Sequence, residues 1–249
     1  MHYTQLTLVT ESESLKIMAN LKNLFGTVKT NFNAPHEVSL RIEEQDRGLS
    51  ESERQMLRFL PQNCRVLDIG CATGRTSIVL AKEGHVVTGI DVAERLIEKA
   101  RTATEERGLA ITYYVCEPLT LPFPDDAFDA VLMLKTYCYV PKRQNRVAWL
   151  NEIARVLKPN GWLFLVQYII DGIFDNYDPI HEENQQRFPD DILETLEEGS
   201  SFSEGDEFVT FIRYFLEADL RTELVSAPFQ IMDSFREDTL CYYALKSQL

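Results

Sequence analysis

A chain of 249 residues with 45% hydrophobic and 26% charged side chains has the composition of a globular protein, long enough for one α/β domain with its own core. No apolar run approaches the ~20 residues that a bilayer-spanning helix needs, so no membrane span is expected. The net charge of −14 is unevenly spread: residues 171–207 hold thirteen Asp or Glu against Arg187 alone, and the rest of the chain is close to balanced. Without a basic surface a nucleic-acid substrate is disfavoured, because phosphate contacts supply most non-specific affinity. The five cysteines, Cys64, Cys71, Cys116, Cys138 and Cys241, are odd in number and form no CxxC pair. They read as small buried residues in a reducing compartment, and no metal framework is expected. The first residues lack a basic region followed by an apolar core, so a cytoplasmic protein without a signal peptide is expected.

In chain order, Ile17, Leu21, Leu24 and Phe25 share one face of a helix that Gly26 should end. An irregular stretch follows around Asn31 to Pro35. Ser50 and Glu53 then have capping-box spacing before a helix with Met56, Leu57 and Leu60 on its apolar side. The segment Arg65 to Asp91 reads as a buried strand, a glycine-bearing turn, a helix and a second strand closed by a carboxylate. A helix N-terminus there favours a polar or anionic group, and an acid about twenty residues on can bind a ribose. That pattern describes a nucleoside-cofactor site. The dinucleotide fingerprint G-x-G-x-x-G fails, because Ala72 and Arg75 stand where two of its glycines would be.

Strand and helix patterns alternate onward. Leu96, Ile97, Ala100 and Ala103 mark a helix stopped by Gly108, and Ile111 to Val115 and Phe128 to Leu134 read as strands. Leu150, Ile153, Ala154 and Leu157 form the core face of a helix ended at Lys158 to Gly161, and Trp162 to Val166 is the next strand. Within the acidic insert only Ile192, Leu193 and Leu196 suggest a short helix. Phe208 to Phe215 resumes a strand pattern, Glu217 to Ala227 a helical one, and Phe229 to Ser234 with Thr239 to Leu245 should pair antiparallel.

The runs VLDIGCATGRTS, GIDVAERLIEKAR, LPFPDDAFDAVLM and LNEIARVLKPNGWLFL strongly resemble the class I S-adenosylmethionine-dependent methyltransferases, densely over residues 60 to 168. The resemblance implies an α/β fold: a Rossmann-like seven-stranded, mostly parallel sheet with an antiparallel C-terminal hairpin strand and helices on both faces. Within a single domain over 1–249, residues 1–60 would be a helical cap, 61–168 the cofactor-binding core, 169–207 an acidic lid and 208–249 the last helix and strands. The resemblance also implies S-adenosylmethionine as cofactor, held by Asp68, Gly70, Cys71, Gly74, Asp91, Val92, Glu117, Pro118 and Leu134. Asp91 would accept the ribose hydroxyls, Val92 would pack on adenine, and Glu117 would stand for the usual Asp that bonds the adenine amino group. Two departures stand out: Ala72 replaces a central glycine, and Cys116-Glu117-Pro118 replaces the usual Gly-Asp pair.

The implied reaction is in-line transfer of a methyl group, in which alignment and water exclusion do most of the protein's work. No fixed catalytic residue is demanded, and none stands out. Leu134-Lys135-Thr136-Tyr137 lacks the Asn/Asp-Pro-Pro-aromatic run of nucleic-acid amino methyltransferases and the Pro-Cys of cytosine C5 enzymes. If the acceptor must lose a proton, His36, Tyr137, Tyr139 and His181 are the candidates, while His85 precedes a core strand on the wrong edge. A small-molecule acceptor is expected. The acidic insert suggests a cationic one, steered electrostatically. Methylation of protein or RNA, and a partner subunit that binds the cofactor without catalysis, are the alternatives.

Overall fold

The computed structural model describes residues 21, 23–204 and 209–249. Its centre is a seven-stranded sheet in the order β3-β2-β1-β4-β5-β9-β8. The strands are β1 (Arg65–Ile69), β2 (Val86–Asp91), β3 (Thr112–Val115), β4 (Phe128–Leu134), β5 (Leu157–Tyr168), β8 (Phe229–Glu237) and β9 (Leu240–Ser247). The pairs among β1 to β5 are parallel, and β9 runs antiparallel to both β5 and β8. The expected Rossmann-like sheet and its closing hairpin are both present.

The continuous apolar runs explain the layering. Val66, Leu67 and Ile69 of β1 are shut off from solvent, as are Val131, Leu132 and Met133 of β4, because helices cover both faces. One face packs on α6 (Arg143–Val156) and α9 (Glu217–Leu224), through Leu150, Ile153, Leu220 and Leu224. The other packs on α3 (Glu51–Met56) and α4 (Arg75–Lys82), through Met56 and Leu80. The helix α5 (Glu94–Glu106) lies beside β2 and β3. Strand order reverses between β1 and β4, and the crevice outside the carboxyl ends of strands at such a reversal is where open α/β sheets bind ligands.

Two N-terminal helices differ from expectation. The helix α1 (Leu24–Phe32) begins where Gly26 was expected to end one. Asn23 is its N-cap, and the Asn23 side chain accepts the Gly26 N–H at 3.0 Å, so the glycine sits in the first turn and stops nothing. Ile17, part of the expected helix, lies outside the described residues. The irregular stretch is short, because Pro35 opens a further helix, α2 (Pro35–Glu44), at the position where a missing N–H costs nothing. The capping box of Ser50 and Glu53 forms as expected at the start of α3.

The insert is more ordered than its sequence suggests. It holds α7 (Asp178–Arg187), the short α8 (Asp190–Leu193) and β6 (Ser200–Glu204), which pairs antiparallel with β7 (Val209–Arg213) in a separate two-stranded sheet. Phe188, Ile192, Phe202 and Phe211 pack with Leu21, Leu24 and Val28 into a core of their own. The Phe211 N–H also donates to Thr27 Oγ1 at 2.9 Å, so the insert is bound to α1. Among the described residues no helix is long and apolar enough to cross a membrane.

Candidate active site

At the carboxyl ends of β1, β2 and β4 lies a cavity of about 580 Å³. Its floor is the turn between β1 and α4. Gly70 has φ +71, and a Cβ there would come within 2.2 Å of Thr136 Oγ1, so only glycine lets the ends of β1 and β4 approach. Gly74, with φ +86, caps α4 and leaves room for the Tyr113 hydroxyl, which a Cβ would meet at 2.5 Å. Ala72, where the family has glycine, is also left-handed at φ +49. Its N–H donates to Asp91 Oδ2 at 2.9 Å, and the Ala93 N–H donates to Oδ1 at 2.9 Å. A carboxylate offers about four acceptor sites, so Asp91 keeps capacity for further donors on its cavity side. Burial pushes its carboxyl above the ordinary range, and the N–H groups of Ala93, Ala72 and Val92 hold it partly back.

The N-terminal segment forms the roof. Thr73 Oγ1 donates to the Arg41 carbonyl at 2.8 Å, and Gln45 donates to the Thr73 carbonyl. Arg75 makes a two-pronged pair with the buried Glu53 at 2.7 and 2.8 Å and also reaches the Gly48 carbonyl. Burial raises the Glu53 carboxyl, but the Arg75 bonds outweigh it and leave the group below its ordinary value. On the far side Lys29 of α1 bridges Glu94 and Glu117, both at 2.8 Å. These clasps hold residues 29 to 53 over the floor.

Asp68 is buried and accepts from Ser77 Oγ at 2.7 Å. Burial pushes its carboxyl up to about 6 from 3.8. Between those values the folded protein holds a proton that the unfolded chain has released, so stability falls as pH rises through about 6. At 1.36 kcal/mol per pH unit the cost at neutral pH is about 3 kcal/mol. Asp68→Asn, which keeps an acceptor for Ser77, therefore stabilises the ligand-free protein at pH 7.5 and flattens its stability between pH 4 and 6. Urea denaturation at several pH values reads both effects.

Of the residues expected at the cofactor, Asp68, Gly70, Cys71, Asp91, Val92, Glu117, Pro118 and Leu134 all line this cavity. Gly74 does not; it serves the packing of α4 against Tyr113. Glu117 is 67% exposed along its side chain and turned to Lys29, so an adenine amino group would share it with that lysine. Of the four proton-acceptor candidates, only Tyr139 lines the cavity, edge-on to Phe32 at 5.0 Å, and burial raises its phenol well above the ordinary value. Tyr137 points the other way. It is fully buried, stacks on Phe215 and donates to Glu223 Oε1 at 2.6 Å, where burial and that carboxylate hold it protonated. His36 is exposed on α2, and His181 on α7 lies 3.0 Å from Gln185; neither reaches the cavity. The expectation of a cationic acceptor rested on the insert's charge, yet none of residues 169–204 lines the cavity.

Several lining residues were not singled out from the sequence. Glu53 was visible only as a cap, and Lys29 and Gln45 carry no local signal, because their side-chain partners are 28 or more residues away; Arg41 pairs locally with Glu37 and Glu44, and only its carbonyl meets the distant Thr73. Trp149 of α6 also lines the wall, and its buried indole N–H has no partner among the described residues. Phe25, Phe32, Tyr139, Tyr168, Leu240 and Tyr242 give the cavity a largely apolar and aromatic side.

Residues 67–165 match the family model described as a methyltransferase domain. Over 115 residues the chain is 31% identical to methyltransferase GfsG of Streptomyces halstedii, covering 45% of this chain and 40% of that protein. Over 103 residues it is 39% identical to demethylmenaquinone methyltransferase of Tropheryma whipplei, covering 41% of each. The chain thus spans less than half the length of those relatives. A solved S-adenosylmethionine-dependent methyltransferase from Methanosarcina mazei superposes with a TM-score of 0.66 at 26% identity, over 81% of this chain and 99% of that one. With the sheet order and the motif residues gathered at one crevice, residues 67–165 form a methyltransferase domain that matches the S-adenosylmethionine-dependent methyltransferase family in sequence pattern and fold. The cofactor of that family is S-adenosylmethionine. The residues present fit it: a carboxylate with spare acceptor capacity closes β2, a floor at Gly70 admits no Cβ, and an unpartnered indole N–H lies in the wall.

Proposed function

We propose that this protein transfers a methyl group from S-adenosylmethionine to a small molecule with a flat, mainly apolar body. The observation that carries the reading is that one cavity is lined both by Asp91 and the Gly70 turn and by an aromatic, apolar wall. Bound there, S-adenosylmethionine supplies an electrophilic sulfonium methyl. Asp91 would hold the ribose hydroxyls, Val92 and Pro118 would flank the base, and Asp68 would sit at the amino-acid end. The ends of β1 and β4 at Gly70 and Leu134 would present the reacting centre to the acceptor side. Residues 29 to 53, clasped by Lys29 and Arg75, would keep water from it, and a dry aligned site is the larger part of catalysis for such a displacement. Methylation by relatives named for a menaquinone precursor fits an apolar acceptor.

No described side chain in the acceptor half is an activated base: the Tyr139 phenol is raised by burial, and that of Tyr242 is pushed up to about 12. The acceptor therefore arrives with a lone pair already available. The test is transfer of a labelled methyl group from S-adenosylmethionine to phenols, carboxylic acids, amines and the low-mass fraction of a cell extract, with bulk tRNA and protein in parallel. Label in low-mass compounds, lost in Asp91→Ala, is the expected result. Label confined to RNA or protein contradicts the proposal.

A further inference from the structure

The cavity holds five cations, and four are already neutralised. Lys29 pairs with Glu94 and Glu117, Arg41 with Glu37 and Glu44, Arg47 with Glu44, and Arg75 with Glu53. Lys135 is different. It lines the cavity and has no carboxylate partner among the described residues; its ammonium lies over the Tyr168 ring, 5.5 Å from the centroid. The nearby carboxylates are committed: Glu53 to Arg75 and Ser50, Asp68 to Ser77, and Glu237 to the Tyr242 hydroxyl. A ring face steadies a cation but does not neutralise it.

The backbone aims this lysine. Lys135 follows β4 with φ +61, a left-handed conformation that a residue with a Cβ adopts only at a cost, and its N–H donates to the Val166 carbonyl at 2.7 Å. Tyr168 ends β5, and Leu240 and Tyr242 belong to β9. Both strands lie on the opposite side of β4 from β1 and β2, which carry Asp68 and Asp91. The ammonium therefore faces the half of the cavity away from the ribose site, beside the aromatic wall.

Resting on the proposed small-molecule methyl transfer, we propose that Lys135 determines acceptor specificity by binding a carboxylate on the flat acceptor. A partly desolvated ammonium gains a strong charge-assisted hydrogen bond from such a group. The Tyr168 and Tyr242 side of the cavity takes the apolar body.

The probes are salicylate and 2-naphthoate, each against its neutral amide, titrated into the full chain saturated with S-adenosylhomocysteine. The expected result is that the wild type binds the carboxylates at least 10-fold more tightly than the amides. Lys135→Met brings that ratio close to one, Lys135→Arg retains it, and both variants bind S-adenosylhomocysteine within 2-fold of wild type. Lys135→Gln repeats the first comparison should the Met variant misfold. The assignment is overturned if neither carboxylate binds, if acid and amide bind alike, or if the Met and Gln variants keep the preference. A loss of S-adenosylhomocysteine affinity in those variants also overturns it, because the ammonium then serves the cofactor's own carboxylate. Failure of the wild type to bind S-adenosylhomocysteine at all is a separate outcome, which removes the methyl-transfer reading together with this one.

Discussion

Asp91→Ala is expected to weaken S-adenosylhomocysteine binding about 100-fold. The side chain lies at the end of β2 with each oxygen accepting one backbone N–H at 2.9 Å, and the remaining lone pairs face the cavity. Two hydroxyl donors to a charged acceptor contribute about 1.5 kcal/mol each or more, and 1.4 kcal/mol is a factor of ten. Asp91→Asn removes the buried charge but sets an NH2 donor against one of the two backbone N–H groups, so it should fold with a lowered thermal midpoint. Calorimetric titration of both variants, with their thermal midpoints, separates a lost contact from a lost fold. Affinity within 3-fold of wild type in Asp91→Ala would remove the ribose role.

Arg146→Met is expected to cost about 3–5 kcal/mol of stability. Arg146 is the largest fully buried side chain, 1% exposed, and it binds Glu223 through two nitrogens at 2.7 and 3.0 Å. It also pairs with Glu197 of the insert and donates to the Val140 carbonyl at 3.1 Å. Losing the guanidinium leaves Glu223 buried beside Glu197 without its principal counter-charge. Because Tyr137 donates to the same carboxylate, the turn that carries Tyr139 into the cavity should loosen as well. Arg146→Met with Glu223→Leu, which removes both charges, should recover much of the loss. Guanidinium denaturation measures the set, and a single-variant cost below 1 kcal/mol would show that solvent reaches the cluster.

The sheet was legible because its signals are local. A buried strand, a tight glycine turn and an amphipathic helix recur within about thirty residues, and the hairpin β8–β9 announces itself through two apolar runs around Arg236-Glu237-Asp238. The motif residues at the crevice were legible for the same reason. The roof was not. Lys29 and Glu117 are 88 residues apart, and nothing in either neighbourhood names the other. The turn after β4 defeated the choice of Tyr137, since two residues of a tight helical turn separate a phenol facing Glu223 from one facing Phe32. The strand β6 was hidden by its buried polar residues: Ser200 and Ser201 sit inside because Asn184 bonds the Ser200 carbonyl at 2.7 Å and the Ser201 hydroxyl, which breaks the usual alternation. The charge of the insert is dense in sequence, but its described residues lie off the cavity lining, so it does not by itself mark the acceptor site.

The most direct test of a methyl-donor site between β1, β2 and β4 is a crystal structure of the protein with S-adenosylhomocysteine. The ribose hydroxyls should lie on Asp91, the base between Val92 and Pro118, and the sulfur at the Gly70 and Leu134 end with Lys135 on its far side. A nucleoside bound elsewhere, or one whose ribose does not touch Asp91, would contradict it.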